Sequence, residues 1–273
     1  MDINTKIELN NGVEIPVLGF GTYLLNPGDE ALAALDCAFG AGYRHIDTAA
    51  LYGNEAEVGE AARNSGIPRQ ELFITTKVWN SDQGYSSTLK AFDRSLANMK
   101  MDYVDLYLIH WPLPARRKET WEALLRLYDE KLCRSIGVSN YTIKHLHELL
   151  KTSPIVPAVN QVEFSLYLFQ KDLLDYCSSN EIIIESYSPL TRGKKFGDRR
   201  LLEIAEKYGK TPAQILIRWA LQAGTVTLPK SSNPKRIREN ADVFSFNILD
   251  EDMDIMAQFN EGYRVAWDPS SLD

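Results

Sequence analysis

The feature that most constrains this chain is an alternation of eight short apolar runs with longer stretches whose apolar residues recur every three or four positions. The runs are PVLGFG, YRHIDT, LFITTK, VDLYLIH, CRSIGVSN, VPAVNQVE, IIIESYS and TVTLPK. Between them lie helical patterns such as EALAALDCAFGAG, NEAEVGEAARNSG, STLKAFDRSLANM, ETWEALLRLYDE and LLEIAEKYGKTPAQILIRWALQAG. Strand then helix, repeated, builds a parallel sheet. Eight units in about 250 residues match a closed (β/α)8 TIM barrel, whose strands are buried on both faces and so lack polar alternation. An open doubly wound sheet stays open on pattern alone. Ahead of the first run, KIEL, Asn11-Gly12 and VEI read as an N-terminal β-hairpin, since Asn-Gly supplies the positive φ angles of a tight turn; it would act as a lid or plug. Asp250 to Phe259 reads as a final helix and VAWDPSSLD as a tail over the surface. No linker or composition break divides 1–273, which predicts a single domain.

With 44% hydrophobic and 25% charged residues the chain can bury a sizeable core, which excludes disordered and fibrous classes. No apolar run approaches the ~18 residues of a membrane span, and MDINTKIELN lacks the apolar core of a secretory signal. A net charge of −7 argues against nucleic-acid or anionic-membrane partners, so an anionic ligand must be caught locally. Cys37, Cys133 and Cys177 are odd in number, far apart and never in a C-x-x-C pair, so neither a disulfide frame nor a zinc site is suggested and a cytoplasmic location fits. The N-x-T sequon at Asn140 reads as chance, and a monomer is the default.

Each apolar run ends in residues a plain core strand would not choose: Asp47, Lys77, His110, Ser139 with Asn140, Gln161, Tyr187 and Lys230. In a parallel barrel all strand C-termini open on one rim, so these residues converge. Singly, a polar strand end is a loop cap, and His45 or His147 is an ordinary structural histidine; several in register are harder to dismiss. No G-x-G-x-x-G occurs, which argues against a Rossmann dinucleotide site. In PKSSNPKRIREN, Asn233 can cap a helix starting at Pro234, leaving free N–H groups amid Lys230, Lys235, Arg236 and Arg238.

The segments YRHIDTAALYGNE, LFITTKVWN, VDLYLIHWP, IGVSN, VNQVE, ESYSPL and LPKSSNPKRIREN are similar to successive signatures of the aldo-keto reductases, NADPH-dependent carbonyl reductases built on a (β/α)8 barrel. The resemblance runs from about Gly12 to Phe246 and is to the small, short-loop carbonyl and diketogluconate reductase type. It implies a catalytic tetrad of Asp47, Tyr52, Lys77 and His110 acting on an aldehyde or ketone. The chemistry agrees: hydride addition leaves negative charge on the carbonyl oxygen, and a proton donor must meet it. A phenol at ~10 is too weak an acid unaided, so Lys77 is expected to lower the pKa of Tyr52, with Asp47 holding the ammonium. His110 would orient the carbonyl and stabilise the oxyanion. For the cofactor, NADPH/NADP+, Lys230, Ser231 and Arg236 would hold the 2′-phosphate, Glu239 and Asn240 the adenine, and Ser139, Asn140 and Gln161 the carboxamide. Tyr187 would stack on the nicotinamide, Ser188 and Leu190 would lie near the pyrophosphate, and Gly21 and Thr22 beside the cofactor.

The chain departs from the family in places. TRGKKFGDRR replaces a long loop over the cofactor, and Arg192, Lys194, Lys195, Arg199 and Arg200 could substitute for it by attracting the pyrophosphate, Arg192 above all. Tyr23 stands where many members have tryptophan; with Trp79, His110 and Trp111 it should line the substrate pocket. Phe164-Ser165-Leu166 replaces a common His-Pro pair, and Arg116, Arg117 and Lys118 suggest a mild preference for anionic carbonyls. Two other functions compete: a Schiff-base aldolase using Lys77 as nucleophile, and a non-catalytic redox-sensing subunit.

Overall fold

Eight parallel strands form one sheet whose two edges meet, in a computed structural model that describes residues 1–272. They are β3 (Gly19–Gly21), β4 (His45–Asp47), β5 (Phe73–Val78), β6 (Val104–Ile109), β7 (Cys133–Ser139), β8 (Val159–Glu163), β9 (Ile183–Tyr187) and β10 (Val226–Leu228). Each pairs with its sequence neighbour in parallel register. The ring closes between β10 and β3, where the Thr227 amide donates to the Val17 carbonyl at 2.9 Å and the Gly21 amide to the Pro229 carbonyl at 3.1 Å. The competing open sheet is thereby excluded. Nearly every strand residue is buried, which is why the strands read as continuous apolar runs.

Helices α1 (Asp29–Gly40), α2 (Glu55–Asn64), α3 (Tyr85–Met99), α4 (Arg117–Asp129), α5 (Ile143–Leu150), α6 (Lys171–Ser179), α7 (Arg199–Tyr208), α8 (Pro212–Gln222), α9 (Pro234–Ala241) and α10 (Asp250–Ala257) surround the barrel. The long pattern from Leu201 to Gly224 is two helices rather than one. Gly209 turns left-handed at φ 61° and ends α7, and Thr211 with Pro212 restarts the chain as a capping box with Gln214.

The hairpin is β1 (Lys6–Glu8) and β2 (Glu14–Pro16). Its turn differs from a two-residue Asn-Gly turn: only Gly12 has positive φ, at 80°, and the Leu9 amide closes onto the Val13 carbonyl at 2.8 Å around three residues. Leu9 and Ile15 pack on Phe73, Leu106, Ala158, Val159 and Val226, so the hairpin covers the end of the barrel where the strands begin. The segment Phe164-Ser165-Leu166 makes a tight turn, the Leu168 amide donating to the Ser165 carbonyl at 3.0 Å, with Phe164 stacked on Trp219.

Candidate active site

The opposite end of the barrel, where the strands finish, opens into a cavity of about 800 Å³. Its wall takes in Asp47, His110, Ser139, Asn140, Gln161, Tyr187 and Lys230 from strand ends, so the rim convergence expected from sequence holds. Asp47 closes β4, and the chain then turns through Ala50–Tyr52 to Gly53 at φ 69°, which brings Tyr52 back over the same mouth. A buried asparagine, Asn54, fixes this turn by donating to the Thr22 and Leu25 carbonyls at 2.9 and 3.2 Å and accepting from the Thr48 hydroxyl at 2.8 Å.

Behind Tyr52 lies Lys77, fully buried on β5. Its Nζ donates to Asp47 Oδ1 and to the Thr48 carbonyl, both at 2.8 Å, and lies 3.5 Å from the Tyr52 hydroxyl. Asp47 Oδ2 in turn accepts from Gln161 Nε2 at 2.7 Å. Three oxygens therefore surround the ammonium, and the carboxylate keeps a second donor. The Tyr52 ring meets His110 edge-on at 5.7 Å and Tyr23 at 5.0 Å, while Trp79 meets His110 at 5.0 Å. Tyr52 and His110 both face the cavity; Lys77 does not line it. An amine so enclosed has no path to a carbonyl substrate, which removes the Schiff-base alternative.

The titration states differ from the expectation in one respect. Enclosure of the Tyr52 phenol pushes its pKa well above the ordinary value, and the Asp47 carboxylate adds to this, so the Lys77 ammonium does not leave the resting phenol acidic. Tyr52 thus carries its phenolic proton at neutral pH. Burial, then the neighbouring Lys77 charge, holds His110 well below its ordinary value as a neutral imidazole. A neutral phenol and a neutral imidazole facing one cavity are two hydrogen-bond donors without net charge, suited to a carbonyl oxygen that gains charge during reaction.

The cavity runs from this aromatic end to α9. Asn233 Oδ1 accepts from the Lys235 and Arg236 amides at 2.9 and 3.2 Å, the cap expected from sequence. Lys230, Ser231 and Arg236 line the cavity here, as do Glu239 and Asn240, with Glu239 accepting from the Thr211 hydroxyl at 2.8 Å. Lys230 donates to the Leu24 carbonyl at 3.0 Å, and its partial burial lowers its pKa. Lys235 and Arg238 lie outside the wall, Arg238 against the Cys37 sulfur at 3.3 Å. Between the two ends stand Gly21, Tyr187, Ser188 and Leu190. Asn140 holds the His110 carbonyl through Nδ2 at 2.9 Å and accepts from the Tyr187 hydroxyl at 2.7 Å, so both ends of its amide are engaged. Thr22 does not line the cavity; its hydroxyl donates to the Asp47 carbonyl at 3.0 Å.

The basic loop reaches the cavity through Arg192, Gly193 and Phe196, with the Arg192 guanidinium 5.7 Å from the Tyr23 ring centre, while Lys194, Lys195, Arg199 and Arg200 stay outside its wall. Lys195 pairs with Glu261 and lies over Tyr263, Arg199 pairs with Glu203, and Arg200 pairs with Asp198. Arg116 and Arg117 are likewise bound, to Glu119 and Glu148, and neither lines the cavity. No basic side chain therefore faces the aromatic end from that loop.

Sequence reasoning missed the C-terminal tail. Val265, Ala266 and Trp267 form part of the wall, with Trp267 against Trp111 at 5.5 Å between ring centres. The buried Glu163 holds them there, accepting from the Val265 and Ala266 amides at 2.6 and 2.9 Å. Asp273, the last residue of that tail, lies outside the described residues. Thr211, Pro212 and Ala213, also in the wall, were read only as helix. No helix among the described residues is long and apolar enough to cross a membrane.

Comparison with known proteins gives a consistent set of matches. A model of the aldo/keto reductase family matches residues 17–261. The glyoxal reductase of Bacillus subtilis (strain 168) is 50% identical over 270 residues, covering 99% of this chain and 98% of the relative. The crystal structure of MGS-M4, an aldo-keto reductase enzyme from a Medee basin deep-sea metagenome library, superposes with a TM-score of 0.95 at 44% identity, covering 98% of this chain and 99% of that one. A mutant of Gox0644 crystallised in complex with NADPH gives a TM-score of 0.93 at 40% identity, covering 98% of both chains.

Proposed function

The chain belongs to the aldo/keto reductase family and is an NADP-dependent oxidoreductase, and from its site we propose that Tyr52 is the proton donor in the reduction of small aldehydes and ketones. The observation that carries this reading is the buried Lys77 ammonium, 2.8 Å from Asp47 and 3.5 Å from the hydroxyl of Tyr52, which itself faces the cavity beside His110.

The residues present fit NADPH. Lys230, Ser231 and Arg236 stand at the capped start of α9, where free amides and cations suit a 2′-phosphate. Glu239 and Asn240 offer polar edges to an adenine, the Tyr187 ring offers a face to the nicotinamide, and Ser188, Leu190 and Arg192 border the stretch between. The bound cofactor supplies the hydride. Tyr52 and His110 hold the carbonyl oxygen by hydrogen bonds that strengthen as charge develops there. Because an alkoxide is a far stronger base than a phenolate, the Tyr52 proton moves to it even from a phenol raised by burial. Lys77 then faces a nascent phenolate 3.5 Å away and stabilises it, which is where its charge acts. Asp47 holds that ammonium in place.

The aromatic end, walled by Tyr23, Trp79, Trp111 and Trp267, favours small or flat uncharged carbonyl compounds. The similarity to a glyoxal reductase supports dicarbonyls of that size as first substrates to test. The three free cysteines support a reducing compartment such as the cytoplasm. The test is loss of NADPH absorbance with a panel of aldehydes. Tyr52→Phe should abolish turnover at least ~10³-fold while leaving NADPH affinity within about twofold. Turnover retained by that variant refutes the assignment, and a wild type that binds NADPH but reduces nothing favours the redox-sensing alternative.

A further inference from the structure

Glu185 is a fully buried carboxyl that the proposed reaction does not use, although it stands one hydrogen bond away from it. It lies mid-strand on β9, and its Oε2 accepts from Gln161 Nε2 at 2.8 Å. The same nitrogen donates to Asp47 Oδ2 at 2.7 Å. A primary amide has two N–H bonds, and here each meets a carboxyl oxygen, so the orientation of the Gln161 side chain is settled by chemistry: nitrogen to the barrel interior, carbonyl oxygen to the cavity it lines. With Asp47 alone, one N–H would satisfy the carboxylate and the amide plane could swing about that bond. The second acceptor fixes the plane.

We propose that Glu185 is a positioning residue for the cofactor: it clamps the Gln161 amide so that the Gln161 oxygen is presented, at one fixed angle, to the carboxamide of the nicotinamide ring. The inference rests on the cofactor reading given above. With Gln161 as acceptor for the carboxamide N–H, the determinant of its angle is a side chain that does not itself line the cavity.

A charge consequence follows from the same packing. The titratable and charged groups facing Glu185 are His45 and Asp47 on β4 and Lys77 on β5; β8 faces it with Gln161, and β10 pairs beside it at Val226. Burial and the Asp47 charge push the Glu185 carboxyl up to about 8, so at neutral pH it is an uncharged acid. Its Oε1 lies 3.5 Å from Nε2 of His45, which burial lowers to about 3 and so keeps neutral. Above pH ~8 Glu185 adds a second negative charge beneath the ring position, and a negative charge favours the cationic oxidised nicotinamide over the neutral reduced one.

The experiment measures dissociation constants of NADPH, NADP+ and 2′-phospho-ADP-ribose, which lacks the nicotinamide, for the intact wild type, Glu185→Leu and Glu185→Gln. Glu185→Leu should weaken NADPH about tenfold and leave 2′-phospho-ADP-ribose within about twofold. Glu185→Gln keeps an acceptor and should stay within about threefold for NADPH at pH 7. Between pH 6 and 9.5 the wild type should shift its preference toward NADP+ through pH ~8, and Glu185→Gln should not. Equal losses on all three ligands in Glu185→Leu, or none, overturn the proposal. Should Glu185→Leu fail to fold, Glu185→Met takes its place under the same criteria: a selective loss on NADPH supports the proposal, and equal losses on all three ligands, or none, overturn it. A wild type that binds neither NADPH nor 2′-phospho-ADP-ribose defeats the cofactor reading itself, a result distinct from the others.

Discussion

Replacing Lys77 by methionine tests whether the charges beneath Tyr52 are held together as described. The side chain is fully buried, and its ammonium sits 2.8 Å from both Asp47 and the Thr48 carbonyl. At an effective dielectric near 20, unit charges at that separation attract by about 6 kcal/mol. Methionine fills a similar volume, so little of the effect comes from packing. Asp47 would keep only its bond from Gln161, and stranding a buried carboxylate costs about 3–5 kcal/mol. Urea unfolding followed by the fluorescence of the five tryptophans should show Lys77→Met destabilised by about that amount. The double variant Asp47→Asn with Lys77→Met removes the stranded charge and should recover at least ~2 kcal/mol of the loss, without recovering reduction. If Lys77→Met costs less than ~1 kcal/mol, or the two substitutions add within about 0.5 kcal/mol, the pair is not coupled and the account of the site is wrong.

Three further outcomes are expected. Because the folded state raises Glu185 to about 8, it holds a proton that the unfolded chain releases near the ordinary carboxyl value. Wild-type stability from this group therefore falls as pH rises through that interval, and Glu185→Gln should gain a few kcal/mol relative to wild type between pH ~5 and ~8 by denaturant titration; His45, lowered to about 3, acts in both proteins and cancels. Glu163→Ala removes the acceptor of the Val265 and Ala266 amides, so the tail should leave Trp111; steady-state kinetics should show KM for an aromatic aldehyde raised about tenfold with kcat within twofold, and an unchanged KM would detach the tail from the pocket. Arg192→Ala should speed NADPH release several-fold in stopped-flow measurements, more at low than at high salt, and equal rates across salt would remove Arg192 from the cofactor groove.

The barrel and the polar residues at its rim were legible because both rest on local rules. Strands buried on two faces must be apolar throughout, so VDLYLIH and IIIESYS announce themselves, and the polar residues closing such runs stand out against them. Asn233 before Pro234 is equally local, a cap and a first-turn proline that the structure reproduces atom for atom. What stayed illegible depends on long-range pairing. Trp267 is 68% exposed in a polar tail, and partners about a hundred residues earlier in the chain, the Glu163 carboxylate foremost, make it a wall. Lys195, Arg199 and Arg200 looked available for phosphates, yet Glu261, Glu203 and Asp198 already occupy them. Glu185 goes unmarked within the run IIIESYS, and nothing local says that Gln161 lies beside it. The acidity of Tyr52 failed for the same reason: spacing shows that a lysine is near and not how deeply the phenol is enclosed.

The hairpin has a kinetic consequence. Among the described residues, Leu9 and Ile15 cork the end where the strands begin, and the cavity that reaches Tyr52 and His110 opens at the opposite one. On the cofactor placement proposed above, a nicotinamide lies on the floor beside Gln161 and Tyr187, beneath whatever Trp111 and Trp267 flank. That placement makes the first arrival the last to depart: the dinucleotide would load ahead of the carbonyl compound, the alcohol would clear the shaft before the spent dinucleotide, and at high concentration alcohol returning early would trap it there.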